Sequence, residues 1–195
     1  LTCAALVERD AEVLLPDPSY PCNRHFIAAF NGHPTLIPSG PAERFQLSAE
    51  RVESHWNDRT RGVLLASPSN PTGTSITREE LARTLAVVRR HQGFALVDEI
   101  YQGLSYDAPP YTALEFGDDA IVINSFSKYY CMTGWRIGWM VLPEAALRKT
   151  QILQQNLFIS APTLSQIAAR VALGQRDYSE AQKAQYRSEE HTSEL

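Results

Sequence analysis

The sequence is short of cysteine, of lysine and of long apolar runs, and each shortage argues against a class of protein. Its three cysteines, Cys3, Cys22 and Cys131, form no C-x-x-C pair and no set with histidine. That argues against a disulfide framework and a structural zinc site, and for a reducing, cytoplasmic compartment. No apolar stretch approaches the ~18 residues of a membrane-spanning helix. The opening LTCAALVERD has no charged region ahead of its apolar residues and does not read as a signal peptide. With 18 basic and 22 acidic residues the net charge is −4, and no basic run stands out. Nucleic acid and anionic membranes are therefore not expected partners. Lysine occurs only at 128, 149 and 183, never after a glycine, so no Gly-Lys phosphate loop of the Walker type is present.

What is present is a chain of 195 residues, 44% hydrophobic, enough to bury a core. Short apolar segments alternate with helical stretches, the pattern of an α/β protein with a parallel sheet. Strands are expected at 11–16, 33–39, 62–68, 94–100, 120–126 and 136–143. A helix is expected from about Pro21, ending at Gly32. A second should open on a capping box of Thr77 and Glu80, run to about His91 and stop at Gly93. From Pro143 onward the chain reads as helical, over 144–157 and 163–185. Both ends are unusual. The chain lacks an initial Met and opens like the middle of a helix, which suggests a fragment. The closing RSEEHTSEL, 187–195, matches the in-frame translation of a common DNA-sequencing adapter and is expected to be an artefact. The expected domain is therefore 1–186.

Two residues could carry chemistry. Asp98 ends the apolar FALV, where a carboxylate is costly to bury without a partner. It reads as a helix cap, as part of a Walker B strand, or as an anion awaiting a cation; without the Walker phosphate loop the second reading fails. Lys128 follows directly on AIVINSFS. It could be a surface lysine or the lysine of an S-x-x-K acyl-transferase, but no Lys-Thr-Gly or Ser-Asp-Asn element accompanies it. The remaining chemistry is a Schiff base on a desolvated lysine. Ser125, Ser127 and Arg136 flank it as a candidate phosphate site.

In the order and spacing of PDPSYP, SPSNPTG, VDEIYQGLSYD and SFSKYYCMTGWRIGW, the chain resembles the large domain of class I/II aminotransferases. These are the fold-type I enzymes that use pyridoxal 5′-phosphate. The resemblance spans 17–139 closely and its flanks more loosely. It implies a three-layer sandwich with a mainly parallel sheet. It also implies that Lys128 holds the cofactor aldehyde, that Asp98 pairs with the protonated pyridine nitrogen, and that Tyr101 donates to the ring's phenolic oxygen. Asn70 would touch that oxygen and the substrate carboxylate. Ser125, Ser127 and Arg136 would hold the phosphate, and Tyr20 would stack on the ring, unless it is a core tyrosine. Trp135 and Trp139 are expected to pack, Cys131 to fill space, and the histidines to have no role.

The implied activity is transfer of an amino group between an amino acid and a 2-oxo acid, in a homodimer. The family's N-terminal phosphate-binding turn and its C-terminal small domain, with the substrate-carboxylate arginine, have no counterpart here, so the chain alone is expected to be inactive and aggregation-prone. Two other outcomes share the scaffold: a C–S lyase or decarboxylase, and the sensor domain of a transcription regulator.

Overall fold

The computed structural model describes residues 1–106 and 109–192. Six strands form one sheet: β1 (Glu12–Asp17), β2 (His33–Pro38), β3 (Thr60–Ala66), β4 (Phe94–Asp98), β5 (Ala120–Ser125) and β6 (Gly138–Val141), in the order β2-β1-β3-β4-β5-β6. The first five are parallel and β6 runs antiparallel to β5. An antiparallel neighbour needs no crossover helix, so residues 126–137 between β5 and β6 are free to form a loop instead.

Among the described residues seven α-helices accompany the sheet: α1 (Thr2–Leu6), α2 (Pro21–Ala29), α3 (Ala49–His55), α4 (Arg78–Arg90), α5 (Glu144–Leu157), α6 (Thr163–Leu173) and α7 (Arg176–Thr192). On one face of the sheet Leu14, Val63, Leu65, Val97 and Val122 pack with Val52 of α3 and Leu81, Leu85 and Val88 of α4. On the other, Val13, Leu15, Leu64, Leu96 and Ile121 pack with Ile27 of α2 and Leu6 of α1. The central strands are thus covered on both sides, which is why they read as unbroken apolar runs without alternation. Each fully buried Leu or Val there contributes about 1.5–3 kcal/mol of transfer free energy. The result is the expected three-layer α/β sandwich. Among the described residues no helix is long and apolar enough to cross a membrane.

Three local expectations are corrected. Thr77 does cap α4, its hydroxyl accepting from the Glu80 N–H at 3.2 Å. Glu80 does not complete a capping box; its carboxylate accepts from the Ala49 N–H at 2.6 Å and so caps α3, across 31 residues of sequence. Second, Gly32 and Gly93 are not the left-handed stops of their helices. Asn31 (φ 63°) and Gln92 (φ 55°) take that conformation. The N–H groups of Gly32 and Gly93 then return to the carbonyls of Ile27 and Val88, at 3.1 and 3.0 Å. Gly93 is small for a different reason: a Cβ there would collide with the Trp56 ring. Third, the helical stretch from 163 breaks at Gly174, which caps α6 before α7 begins. Of the terminal segment expected to be foreign, 187–192 still belong to α7, and 193–195 lie outside the described residues.

Candidate active site

Because β1, β3, β4 and β5 are parallel, the loops after them leave the sheet at one edge, the edge where open α/β sheets receive ligands. The candidate residues Tyr20, Asn70, Asp98, Tyr101, Ser125, Ser127, Lys128 and Arg136 all lie in or beside those loops.

Asp98 closes β4. Its carbonyl accepts from the Ser67 N–H at 3.0 Å, tying the loop after β3 to this strand. Its carboxylate accepts from the Ile100 N–H at 3.0 Å. Burial pushes the carboxyl pKa up, against the smaller lowering by that hydrogen bond. The carboxylate is thus partly buried without a cationic partner among the described residues, and an arriving cation would stabilise its charged form. Glu99 points the other way, as successive residues of an extended chain do. It is buried, accepts from the Ala113 N–H at 2.7 Å and the Thr112 hydroxyl at 3.1 Å, and so fixes the short turn at Ala113–Phe116. Its carboxyl is also pushed up, chiefly by burial.

Tyr101 begins the 3₁₀ turn Gln102–Leu104. The Lys128 ammonium sits 5.5 Å from the centroid of its ring, within cation–π reach. The phenol of Tyr20 is pushed up first by the Cys22 thiol and to smaller extents by Tyr101 and Asp98, so these residues share one side of the site. Tyr20 is 41% exposed and is not a core tyrosine.

Asn70 and Tyr101 line one open cleft of about 730 Å³. The loop bearing Asn70 is held by the Ser69 N–H on the Thr74 carbonyl (2.9 Å) and the Gly73 N–H on the Ser69 carbonyl (2.7 Å). Gly73 has φ +68°, a conformation that favours glycine. Gln46 braces the loop from outside, donating to the Thr74 carbonyl at 2.8 Å.

The lysine loop is anchored on both sides of Lys128. Phe126 and Met132 are buried against Ala169 of α6, and the Met132 N–H reaches the Phe126 carbonyl at 3.1 Å. Between them the Cys131 N–H donates to the Lys128 carbonyl (2.9 Å) and the Thr133 hydroxyl to the Ser127 carbonyl (2.9 Å). Lys128 itself is exposed, where a desolvated lysine was expected. Its side chain borders an open cleft of about 530 Å³.

Ser125 and Ser127 are brought together: their hydroxyls are 2.9 Å apart, and Ser125 Oγ also reaches the Ile137 carbonyl at 3.2 Å. Arg136 precedes that carbonyl in the chain and has left-handed backbone, φ 50°. Its guanidinium donates to the Thr133 carbonyl at 2.8 Å and is exposed. The two hydroxyls thus meet at the end of β5, while the guanidinium is held on the Thr133 carbonyl of the loop that follows. Trp139 packs edge-on against Phe126 at 5.1 Å as expected, but Trp135 is 46% exposed.

A family model described as aminotransferase class I and II matches residues 1–194. The chain belongs to the class I and II aminotransferases. It is similar to valine–pyruvate aminotransferase of Mycobacterium tuberculosis, 41% identical over 171 residues, covering 87% of this chain and 44% of that protein. It is 37% identical over 169 residues to the (5-formylfuran-3-yl)methyl phosphate transaminase of Methanocaldococcus jannaschii, covering 85% of this chain and 42% of that one. The crystal structure of the aspartate aminotransferase of Rhizobium meliloti superposes with a TM-score of 0.90 at 30% identity, over 95% of this chain and 48% of that one. The chain therefore spans about half the length of the relatives it matches.

The aminotransferase motifs in the sequence did not reveal one further layer of the site. The Tyr129 hydroxyl donates to Glu180 of α7 at 2.6 Å, and burial, then Glu180, pushes its pKa up to about 12. Lys183 of α7 stands 5.5 Å from the Tyr106 ring. Nothing local in the sequence marks these pairs, which join residues far apart in the chain.

Proposed function

We propose that this chain is the cofactor-bearing part of an aminotransferase that moves an amino group between an amino acid and a 2-oxo acid, using pyridoxal 5′-phosphate. One observation carries the reading: a cation-seeking carboxylate, Asp98, ends the strand beside the one whose loop places Lys128 over Tyr101. The donor set fits the cofactor. A carboxylate suits its ring nitrogen, a primary amine its aldehyde, and two hydroxyls with a guanidinium its phosphate.

When bound, pyridoxal phosphate supplies an aldehyde that condenses with amines and a cationic ring that draws electron density from the substrate α-carbon. Lys128 Nζ would attach the cofactor. Once displaced by the substrate's amino group, the same nitrogen would take the proton from the α-carbon and return it elsewhere. The Asp98 carboxylate would keep the ring nitrogen protonated. Tyr101 Oη would donate to the ring's phenolic oxygen, and Asn70 to that oxygen and the substrate carboxylate. Ser125, Ser127 and Arg136 would hold the phosphate, and Tyr20 would cover a ring face.

In the same reading the working protein is a cytoplasmic homodimer. Residues 1–186 form part of its large domain, and 187–195 are foreign to it. Since the chain spans about half its relatives' length, turnover is assigned to the longer protein and the chain alone should show none. The test is an absorbance band near the visible edge on adding pyridoxal phosphate to the chain, absent in Lys128→Ala. A band of equal strength in that variant overturns the assignment.

A further inference from the structure

We propose that Tyr129 and Glu180 are positioning residues for Lys128: their hydrogen bond clasps α7 across the lysine loop and holds that loop on the residues that follow β4. The chemical consequence rests on the proposed role of Lys128, but the mechanical one does not.

Tyr129 is the next residue after Lys128, so whatever fixes its ring fixes the backbone that carries the lysine. Its ring is held from three sides. The hydroxyl reaches Glu180 Oε1 at 2.6 Å, within the short range of a hydroxyl donating to a carboxylate. The ring lies on Gly103, where a Cβ would come within 2.5 Å of Tyr129 Cγ. Tyr130 meets it edge-on at 5.0 Å. Gly103 lies two residues beyond Tyr101, whose ring faces the Lys128 ammonium. The same contact that seats Tyr129 thus sets the spacing between Lys128 and Tyr101.

On α7, Glu180 and Lys183 lie one turn apart and 3.9 Å from each other. Glu180 grips the lysine loop while Lys183 stands against Tyr106 of the loop after β4. One helix therefore spans both loops of the site. The Tyr129 phenol keeps its proton far above neutral pH, so it remains the donor. The remainder of the lysine loop is held by its own turn and by Phe126 and Met132. Between those anchors the clasp adds to the Gly103 and Tyr101 contacts a hydrogen bond that reaches the residue next to the lysine from α7.

The test is amide hydrogen exchange, read by mass spectrometry, on the 195-residue chain and on Tyr129→Phe, Glu180→Ala and Glu180→Gln. Losing a hydrogen bond to a carboxylate should let residues 127–132 open about tenfold more often. Exchange there should be about tenfold faster in Tyr129→Phe and Glu180→Ala, with β1 to β4 unchanged. Glu180→Gln, whose amide oxygen still accepts, should stay within about twofold of wild type. In the same variants the pyridoxal phosphate absorbance band should form about tenfold more slowly, again restored by Gln. Unchanged exchange at 127–132, or faster exchange across the whole sheet, overturns the clasp. Faster loop exchange with an unaltered rate of band formation overturns its positioning role. No band in the wild type counts against the reading of Lys128, and the exchange comparison then decides the clasp alone.

Discussion

Asp98→Asn should move stability and cofactor binding in opposite directions. The Asp98 carboxyl accepts from the Ile100 N–H at 3.0 Å, and burial raises its pKa more than that bond lowers it. A carboxyl whose pKa is higher folded than unfolded takes up a proton on folding. Stability is then unpenalised below the ordinary value of 3.8 and is lost as pH rises through the folded value. Asparagine keeps an oxygen for Ile100 and has no charge to desolvate. At pH 7 the variant should be more stable by about 1 kcal/mol, the scale of one uncompensated desolvation. At this chain length that corresponds to a Tm higher by about 2–4 °C. At pH 3, where the wild-type carboxyl is protonated in both states, the two should melt together. Pyridoxal phosphate affinity should fall by about tenfold or more, because the anion facing the ring nitrogen is gone. Thermal melts at both pH values, with a spectroscopic cofactor titration, read all three quantities. A lower Tm for the variant at pH 7, or an unchanged affinity, would refute the view of Asp98 as a carboxylate kept waiting for a cation.

Arg136→Ala should weaken pyridoxal phosphate binding about ten- to a hundredfold in a titration, by removing a charged phosphate donor. Its Tm should change by less than about 2 °C, since the guanidinium is exposed and, among the described residues, bonds only the nearby Thr133 carbonyl. Thr77→Ala should cost about 1 kcal/mol, measured by urea unfolding, because the Glu80 N–H at the start of α4 loses its acceptor. Leu65→Ala, at a fully buried position in a central strand, should cost about 2–5 kcal/mol in the same assay.

The strands were legible because the sheet is covered on both faces, and an unbroken run such as GVLLA has few other homes. The candidate residues were legible because the motifs place each at a strand's end, where a parallel sheet gathers them. What escaped depends on contacts across the chain. α3 is seven residues long with only Ala49 and Val52 buried, too short a pattern to stand out, and its cap comes from Glu80. Gln92 could take the left-handed turn expected of Gly93 because the glycine was needed beside Trp56. Glu99, which follows Asp98 directly in the sequence, is the brace of a turn thirteen residues on. The Tyr129–Glu180 bond spans 51 residues. The exposure of Lys128 was likewise unreadable, since a buried strand before it says nothing of what covers the loop.

The central claim is that Lys128 is the residue that binds the cofactor, and the scarcity of lysine makes it directly testable. The chain would be mixed with pyridoxal phosphate, treated with borohydride to make any lysine linkage permanent, digested and mapped by mass spectrometry. The account predicts the cofactor on the peptide carrying Lys128, and little or none on those carrying Lys149 or Lys183. Equal labelling of all three lysines, or labelling that spares Lys128, would contradict it.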